Sequence, residues 1–123
     1  MPSSRPALRD LALTLDAPRR PSAALGPWRW TVRQQLVAVR ELVLRESAQH
    51  DDSWLAARGG TILRERSALL ARIASLAPQV LEAEDVSPVR VELKRLLADV
   101  ARYLQRLHDL AYDEVELELG GSD

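Results

Sequence analysis

A seven-residue repeat of apolar side chains in the last third of the chain constrains the fold most strongly. One series is Val89, Leu96, Tyr103 and Leu110, and an interleaved series is Leu93, Val100 and Leu107. Two such series, offset by three or four residues, line one face of an α-helix. Ser87-Pro88 suits a helix start, because proline at the first helical position gives up no hydrogen bond. The pattern predicts a helix from residue 88 to at least residue 112.

A second stretch has the same period. Its apolar series is Leu55, Ile62, Leu69 and Leu76, with Ile73 in the alternate series. We expect a helix over residues 53–77, weakened at Gly59-Gly60 because glycine is a poor helix former. Pro78 is expected to end this helix, because proline lacks the backbone N–H that an interior position donates.

A third amphipathic stretch precedes these two. Apolar residues at spacings of four, three and four are Val32, Leu36, Val39 and Val43. Thr31 and Gln34 match a capping box, and Trp30 stands just before the cap, where an apolar side chain packs on the first turn. We expect this helix over residues 31–49.

The N-terminal segment is interpreted as a short helix and a linker. Leu8, Leu11 and Leu15 recur at helical spacing, and Pro18 is expected to end this helix. Residues 17–27 hold three prolines and a glycine, which predicts an irregular linker. The chain is therefore divided into an N-terminal region, 1–27, and a helical domain, 28–123.

The predicted fold class is all-α. Long helices with short connections pack antiparallel, so we expect an up-down-up three-helix bundle of long amphipathic helices, with a short N-terminal helix and a Pro-rich linker. The N-terminal helix is expected either to add a fourth wall or to bind a second copy of the chain. Residues 113–123 form an acidic tail in which Val115, Leu117 and Leu119 alternate with glutamates, as in a strand. We favour continued helix there.

Composition argues against several functional classes. The chain has no cysteine, so disulfides, thiolate catalysis and cysteine-ligated metals are excluded. A net charge of −1 argues against a nucleic-acid partner. No apolar run approaches the ~18 residues of a membrane span, and we expect no membrane partner. We expect a cytoplasmic, non-enzymatic protein with no catalytic residues and no cofactor.

No metal is expected either, although the layout resembles that of hemerythrin-type iron proteins and di-iron bundles. Those bundles carry Glu-x-x-His pairs on their helices. This chain has two histidines, His50 and His108, and neither follows a glutamate by three residues. The layout is similar, but the metal chemistry does not transfer.

Three residues carry a ligand-binding hypothesis. Arg66 and Tyr103 occupy positions that should face the core, and His108 lies five residues beyond Tyr103. A buried guanidinium needs a carboxylate or an anionic ligand to balance its charge. The alternative for Arg66 is a place at the bundle edge, with the stem packed and the head in water. A small-molecule or metal-binding bundle with an internal polar pocket is the second functional hypothesis.

The leading hypothesis is an interaction module that associates with a protein partner or with itself as a homo-oligomer. The repeats on two helices are coiled-coil-like, and Trp28, Trp30 and Trp54 are candidate contact residues. Residues 1–30 carry a charge of +3 and residues 109–123 one of −6, counted from their side chains. A basic N-terminal arm could therefore dock on the acidic tail of another chain, or on its own bundle.

Overall fold

The computed structural model describes residues 5–16, 25–58 and 60–121, with side chains up to residue 113. The described residues form a helical bundle without strands, which confirms the all-α class. Its helices are α1 (Pro6–Asp16), α2 (Leu25–Ser47), α3 (Asp52–Ala57), α4 (Thr61–Glu82) and α5 (Ser87–Gly121). No helix within these ranges is long and apolar enough to cross a bilayer.

The core lies where α2, α4 and α5 meet. Their fully buried side chains are Val32, Leu36, Val39 and Val43 of α2, Val80 of α4, and Leu93, Leu96, Val100 and Tyr103 of α5. Most of these positions belong to the repeats that identified the helices. Each fully buried aliphatic side chain contributes roughly 1.5–3 kcal/mol relative to its exposed state, so these stripes hold the bundle together.

Helix α1 packs against α2 and α5 of its own chain. Leu11 and Leu15 are completely buried in this contact. The indole Nε1 of Trp28 donates a hydrogen bond of 3.2 Å to the carbonyl oxygen of Thr14, and Arg90 donates to that of Leu15. The last turn of α1 is thus held by side chains from both neighbouring helices.

Arginines join the helix ends to one another. Arg29, in the first turns of α2, donates to the carbonyl oxygens of Val80 (3.2 Å) and Ala83 (2.6 Å) at the end of α4. The last carbonyl groups of a helix have no partner within it, so this guanidinium supplies the missing donors. Arg106 of α5 pairs with Glu65 near the start of α4.

The prediction for the start of α2 was wrong. The helix begins at Leu25, six residues before the expected start, so Trp28, Trp30 and Thr31 lie inside it. Gly26 and Pro27 are tolerated because Pro27 falls in the first turn, where backbone N–H groups have no helical acceptor. The predicted capping box and apolar staple therefore do not form. The linker prediction fails at 25–27, and residues 17–24 lie outside the described residues.

The prediction of one helix over residues 53–77 was wrong in two respects: the helix is broken near Gly60, and it does not end at Pro78. The helix is divided into α3 and α4, and Gly60 adopts a left-handed conformation with φ of +73°. The Asp51 carboxylate caps α3 by accepting a hydrogen bond from the Trp54 N–H at 2.6 Å. Pro78 lies inside α4, which continues to Glu82 because Val80, beyond the proline, is completely buried.

The prediction for the last helix holds with one change of boundary. Helix α5 begins at Ser87 rather than at residue 88, and its backbone continues to Gly121. The preferred interpretation of residues 113–121 as continued helix is therefore confirmed for the backbone, and residues 122–123 lie outside the described residues.

Candidate interaction surface

Arg66 does not point into the core. Its side chain is 21% exposed, and its Nη2 lies 3.2 Å from Oδ1 of Asp52, whose side chain is 73% exposed. The arginine therefore joins α4 to α3 at the bundle edge, with its stem packed and its head near water. This placement corresponds to the edge alternative considered for the sequence.

Tyr103 and His108 have different surroundings from each other and from Arg66. Tyr103 is completely buried, and its hydroxyl group lies 2.6 Å from that of Ser47. His108 is exposed, with Nδ1 3.9 Å from Oδ1 of Asp109. A buried residue, an edge residue and an exposed residue do not line one internal pocket.

A small cavity of about 110 Å³ lies between the end of α2 and α5. His50, in the turn after α2, and His108 of α5 both line it, together with Glu46 at the end of α2 and Leu104 of α5. The Glu46 carboxylate lies 3.7 Å from the Arg5 guanidinium. Among the described residues, no three His, Asp or Glu side chains are grouped so that they could hold a metal ion.

The three tryptophans have three different environments. Trp28 is buried under α1, where it packs as part of the core. Trp54 is half-buried, stacks on the His50 ring at 4.5 Å between centroids, and carries the Arg58 guanidinium 4.3 Å above it. Trp30 is 58% exposed. Of the three candidates, Trp30 offers the largest free apolar surface.

Trp30 belongs to an apolar stripe on the outer face of α2, which we call the outer stripe. It consists of Trp30, Val37 and Leu44, spaced seven residues apart. Residues seven apart lie within ~20° of one another around a straight helix. Val37 is half-buried and Leu44 is 37% exposed.

A surface groove of about 550 Å³ runs beside this stripe, between α2 and α4. Its α2 wall consists of Arg33, Leu36, Val37 and Arg40, and its α4 wall of Ile73, Ala74, Ala77, Pro78, Leu81 and Glu82. The floor is apolar, since Leu36 and Ile73 belong to the core. Leu81 is 40% exposed at the α4 edge. Outer stripe and groove together form the interaction surface considered below.

The charged side chains of the groove are unpaired. Arg33, Arg40 and Glu82 make no ion pair with any residue that the structure describes, whereas many other charges on the bundle are paired. The two described arginines of the N-terminal region pair within the chain: Arg5, just before α1, with Glu46, and Arg9 of α1 with Asp10. The groove therefore offers free charge of both signs beside exposed apolar side chains.

Comparisons of the chain with protein family models, curated proteins and solved structures find no match.

Proposed function

We propose that this chain is a non-enzymatic helical-bundle protein that acts through protein–protein contact, with a second copy of itself as the partner. The observation that carries the proposal is the α2–α4 groove with its neighbouring outer stripe. Clustered exposed apolar side chains beside free charges are typical of interaction sites, whereas isolated ones are ordinary. No nucleic-acid or membrane partner forms part of the proposal, and the proposed compartment is the cytoplasm.

The proposed core arrangement is an up-down-up order of α2, α4 and α5. Arg29 joins the start of α2 to the end of α4. The pair Arg106–Glu65 joins the C-terminal half of α5 to the first turns of α4. Both pairings support antiparallel neighbours. Helix α1 packs against α2 and α5, and none of its described residues lines the groove between α2 and α4, so α1 leaves that groove open to a partner.

A ligand-binding bundle is the second candidate, and it rests on the cavity lined by His50 and His108. Its volume of about 110 Å³ is small beside the ~300 Å³ at which ordinary ligand pockets begin. The cavity is adequate for a few water molecules or a small ion. The groove therefore carries the stronger proposal.

Native mass spectrometry of protein purified without chelator or added metal tests the two candidates together. We expect dimers of bare chain mass, with a dimer fraction that grows with protein concentration. A replacement of Leu81 by serine in the groove should lower that fraction, whereas Leu13→Ser on the far side should not, since Leu13 is 62% exposed on α1. A monomer at all concentrations contradicts self-association, and a monomer with retained extra mass favours the ligand-binding bundle.

A further inference from the structure

We propose that α1 is a detachable strap over a helix-binding site of α2 and α5, and that the α1 helix of a second copy enters this site when the strap leaves. The site, which we call the α1 seat, is the surface of α2 and α5 beneath α1. Trp28 and Glu46 of α2 and Arg90 and Lys94 of α5 bound it, since all four contact α1 or the residue just before it. The proposal goes beyond the proposed function and does not depend on the groove between α2 and α4.

The bundle beneath α1 is closed without this helix. Helices α2, α4 and α5 each pack against the other two, whereas α1, among the described elements, packs only against α2 and α5. Release of α1 therefore leaves the mutual contact of the three long helices in place. Helix α1 has 11 residues, and an isolated helix shorter than ~12–15 residues is marginal in water. It is therefore helical on the seat and largely unfolded away from it.

The seat binds the last turn of α1 through backbone atoms. Trp28 and Arg90 donate hydrogen bonds to the carbonyl oxygens of Thr14 and Leu15. The last carbonyl groups of every helix lack donors within the helix, so these two bonds require a helix end and not particular side chains. The sequence requirement comes from Leu11 and Leu15, which are completely buried. The seat therefore accepts an α1 helix whichever copy of the chain carries it.

One polar atom of the seat has no partner while α1 is docked. Gln35 follows Trp28 by seven residues, so it lies on the same face of α2. Its Oε1 is the one buried side-chain nitrogen or oxygen atom of the described residues that has no hydrogen-bond partner. A buried acceptor without a donor is unfavourable, because it loses the hydrogen bond that water would donate. Water reaches this oxygen again when α1 leaves, so Gln35 favours release of the strap.

Covalent attachment gives the chain's own α1 an advantage over the α1 of a second copy. An attached segment acts on its site at an effective concentration in the millimolar range. A free helix therefore binds in proportion to the fraction of chains whose own strap is released. A substitution that weakens the strap should raise this fraction and strengthen binding of the free helix by the same factor. Binding at any other surface would not respond to the strength of the strap.

A fluorescently labelled peptide of residues 5–16, added to the full chain, tests this competition. Anisotropy should show weak binding to the wild type and at least tenfold tighter binding to Leu15→Ala, whose own α1 docks less firmly. Leu13→Ala is the matched control, because Leu13 is 62% exposed on α1, and it should bind the peptide as the wild type does. A peptide with aspartate in place of Leu11 and Leu15 should not bind. Equal affinity of the wild type and Leu15→Ala, or binding to neither, overturns the proposal.

Native-state hydrogen exchange on the full chain measures release of the strap without a peptide. The amide groups of residues 10–16 should exchange together, and faster than the core amides of Leu36 and Leu96, because α1 opens as a separate unit. Leu15→Ala should raise the exchange rates of residues 10–16 at least tenfold, and Leu13→Ala should leave them unchanged. If residues 10–16 exchange only as fast as Leu36 and Leu96, α1 leaves only when the whole chain unfolds, and the strap is excluded.

The seat and the groove can fail separately. A chain that is monomeric in native mass spectrometry but binds the peptide more tightly as Leu15→Ala keeps the seat and loses the dimer of the proposed function. A dimer that weakens in Leu81→Ser, from a chain that binds no peptide in either form, keeps the groove and loses the seat.

Discussion

The hydroxyl groups of Tyr103 and Ser47 lie 2.6 Å apart in the buried contact between α5 and α2. Ser47 also donates a hydrogen bond of 2.6 Å to the carbonyl oxygen of Val43. A serine hydroxyl has a single hydrogen, so Tyr103 is the donor in its bond to Ser47. This tyrosine, a candidate ligand residue in the sequence, has its polar end satisfied inside the core.

Because Tyr103 is the donor, substitutions of Ser47 and Tyr103 should lower the free energy of unfolding by unequal amounts. Ser47→Ala leaves the tyrosine hydroxyl buried without an acceptor, which should lower the free energy of unfolding by about 1–3 kcal/mol. Tyr103→Phe removes the donor while Ser47 keeps its bond to Val43, so the loss should be only about 0.5–1.5 kcal/mol. Urea denaturation measures both, and the double variant should be more stable than Ser47→Ala alone. Equal losses would contradict the assigned donor.

Burial of α1 on its own bundle predicts a contrast between two leucines two residues apart. Leu15 is completely buried, whereas Leu13 is 62% exposed. Leu15→Ala should lower the free energy of unfolding by about 2–5 kcal/mol through lost burial and a cavity. Leu13→Ala should change it by less than about 0.5 kcal/mol, as surface substitutions do. Similar small effects at both positions in denaturation experiments would show that α1 is not part of the folded core.

Most of the helical architecture could be predicted from sequence, because a buried stripe leaves a periodic pattern. Val89 to Leu110 identified α5 nearly to its first residue, and the spacing of Leu8, Leu11 and Leu15 identified α1. The errors occurred where local signals competed with packing. Thr31 and Gln34 match a capping box, yet burial of Trp28 under α1 extends α2 by two turns ahead of it.

The candidate site was less predictable, because a repeat indicates which residues share a face but not which faces find a neighbour. Arg66 falls in register with a core stripe, but its partner is Asp52 of α3, a helix created by the break at Gly60. The groove depends on the separation of α2 and α4 and on the continuation of α4 beyond Pro78. The sequence analysis had instead expected this proline to end the helix. The outer stripe was visible in the spacing of Trp30, Val37 and Leu44, but its exposure was not.

Alanine substitutions at Gly60, between α3 and α4, and at Gly26, in the first turn of α2, should have opposite effects on the free energy of unfolding. Gly60 has φ of +73°, and a Cβ there would lie 3.3 Å from Nη1 of Arg64, a side chain that can move aside. Gly60→Ala should lower the free energy of unfolding by about 1–2 kcal/mol, the cost of left-handed backbone for a residue with a Cβ. Gly26→Ala, in the first turn of α2 with nothing within 4 Å of its Cβ, should raise it by up to ~1 kcal/mol. Thermal or urea unfolding measures both, and a gain from Gly60→Ala would contradict the left-handed conformation.

The end of α1 predicts a specific pH dependence. Oδ1 of Asp16 lies 2.5 Å from Nζ of Lys94. The hydrogen bond from Lys94, then its charge, and to a smaller extent the charge of Arg90 hold the pKa of the Asp16 carboxyl below its ordinary value of 3.8. The folded state therefore binds this proton less readily than the unfolded state. The stabilisation is complete above pH 3.8 and is lost as the pH falls through the lowered pKa of the folded state.

Replacement of the lysine should remove this effect. In Lys94→Gln the pKa of Asp16, followed by the carboxyl carbon shift in an NMR titration, should rise toward its ordinary value, because the largest cause of its lowering is gone. Lys94→Arg keeps the charge and should keep most of the shift. Added salt should weaken it, because both side chains are largely exposed to solvent, 44% for Lys94 and 63% for Asp16. An Asp16 pKa that is the same in the wild type and in Lys94→Gln would mean that the pair does not form in solution, and that α1 is held by its apolar contacts and by the bonds from Trp28 and Arg90.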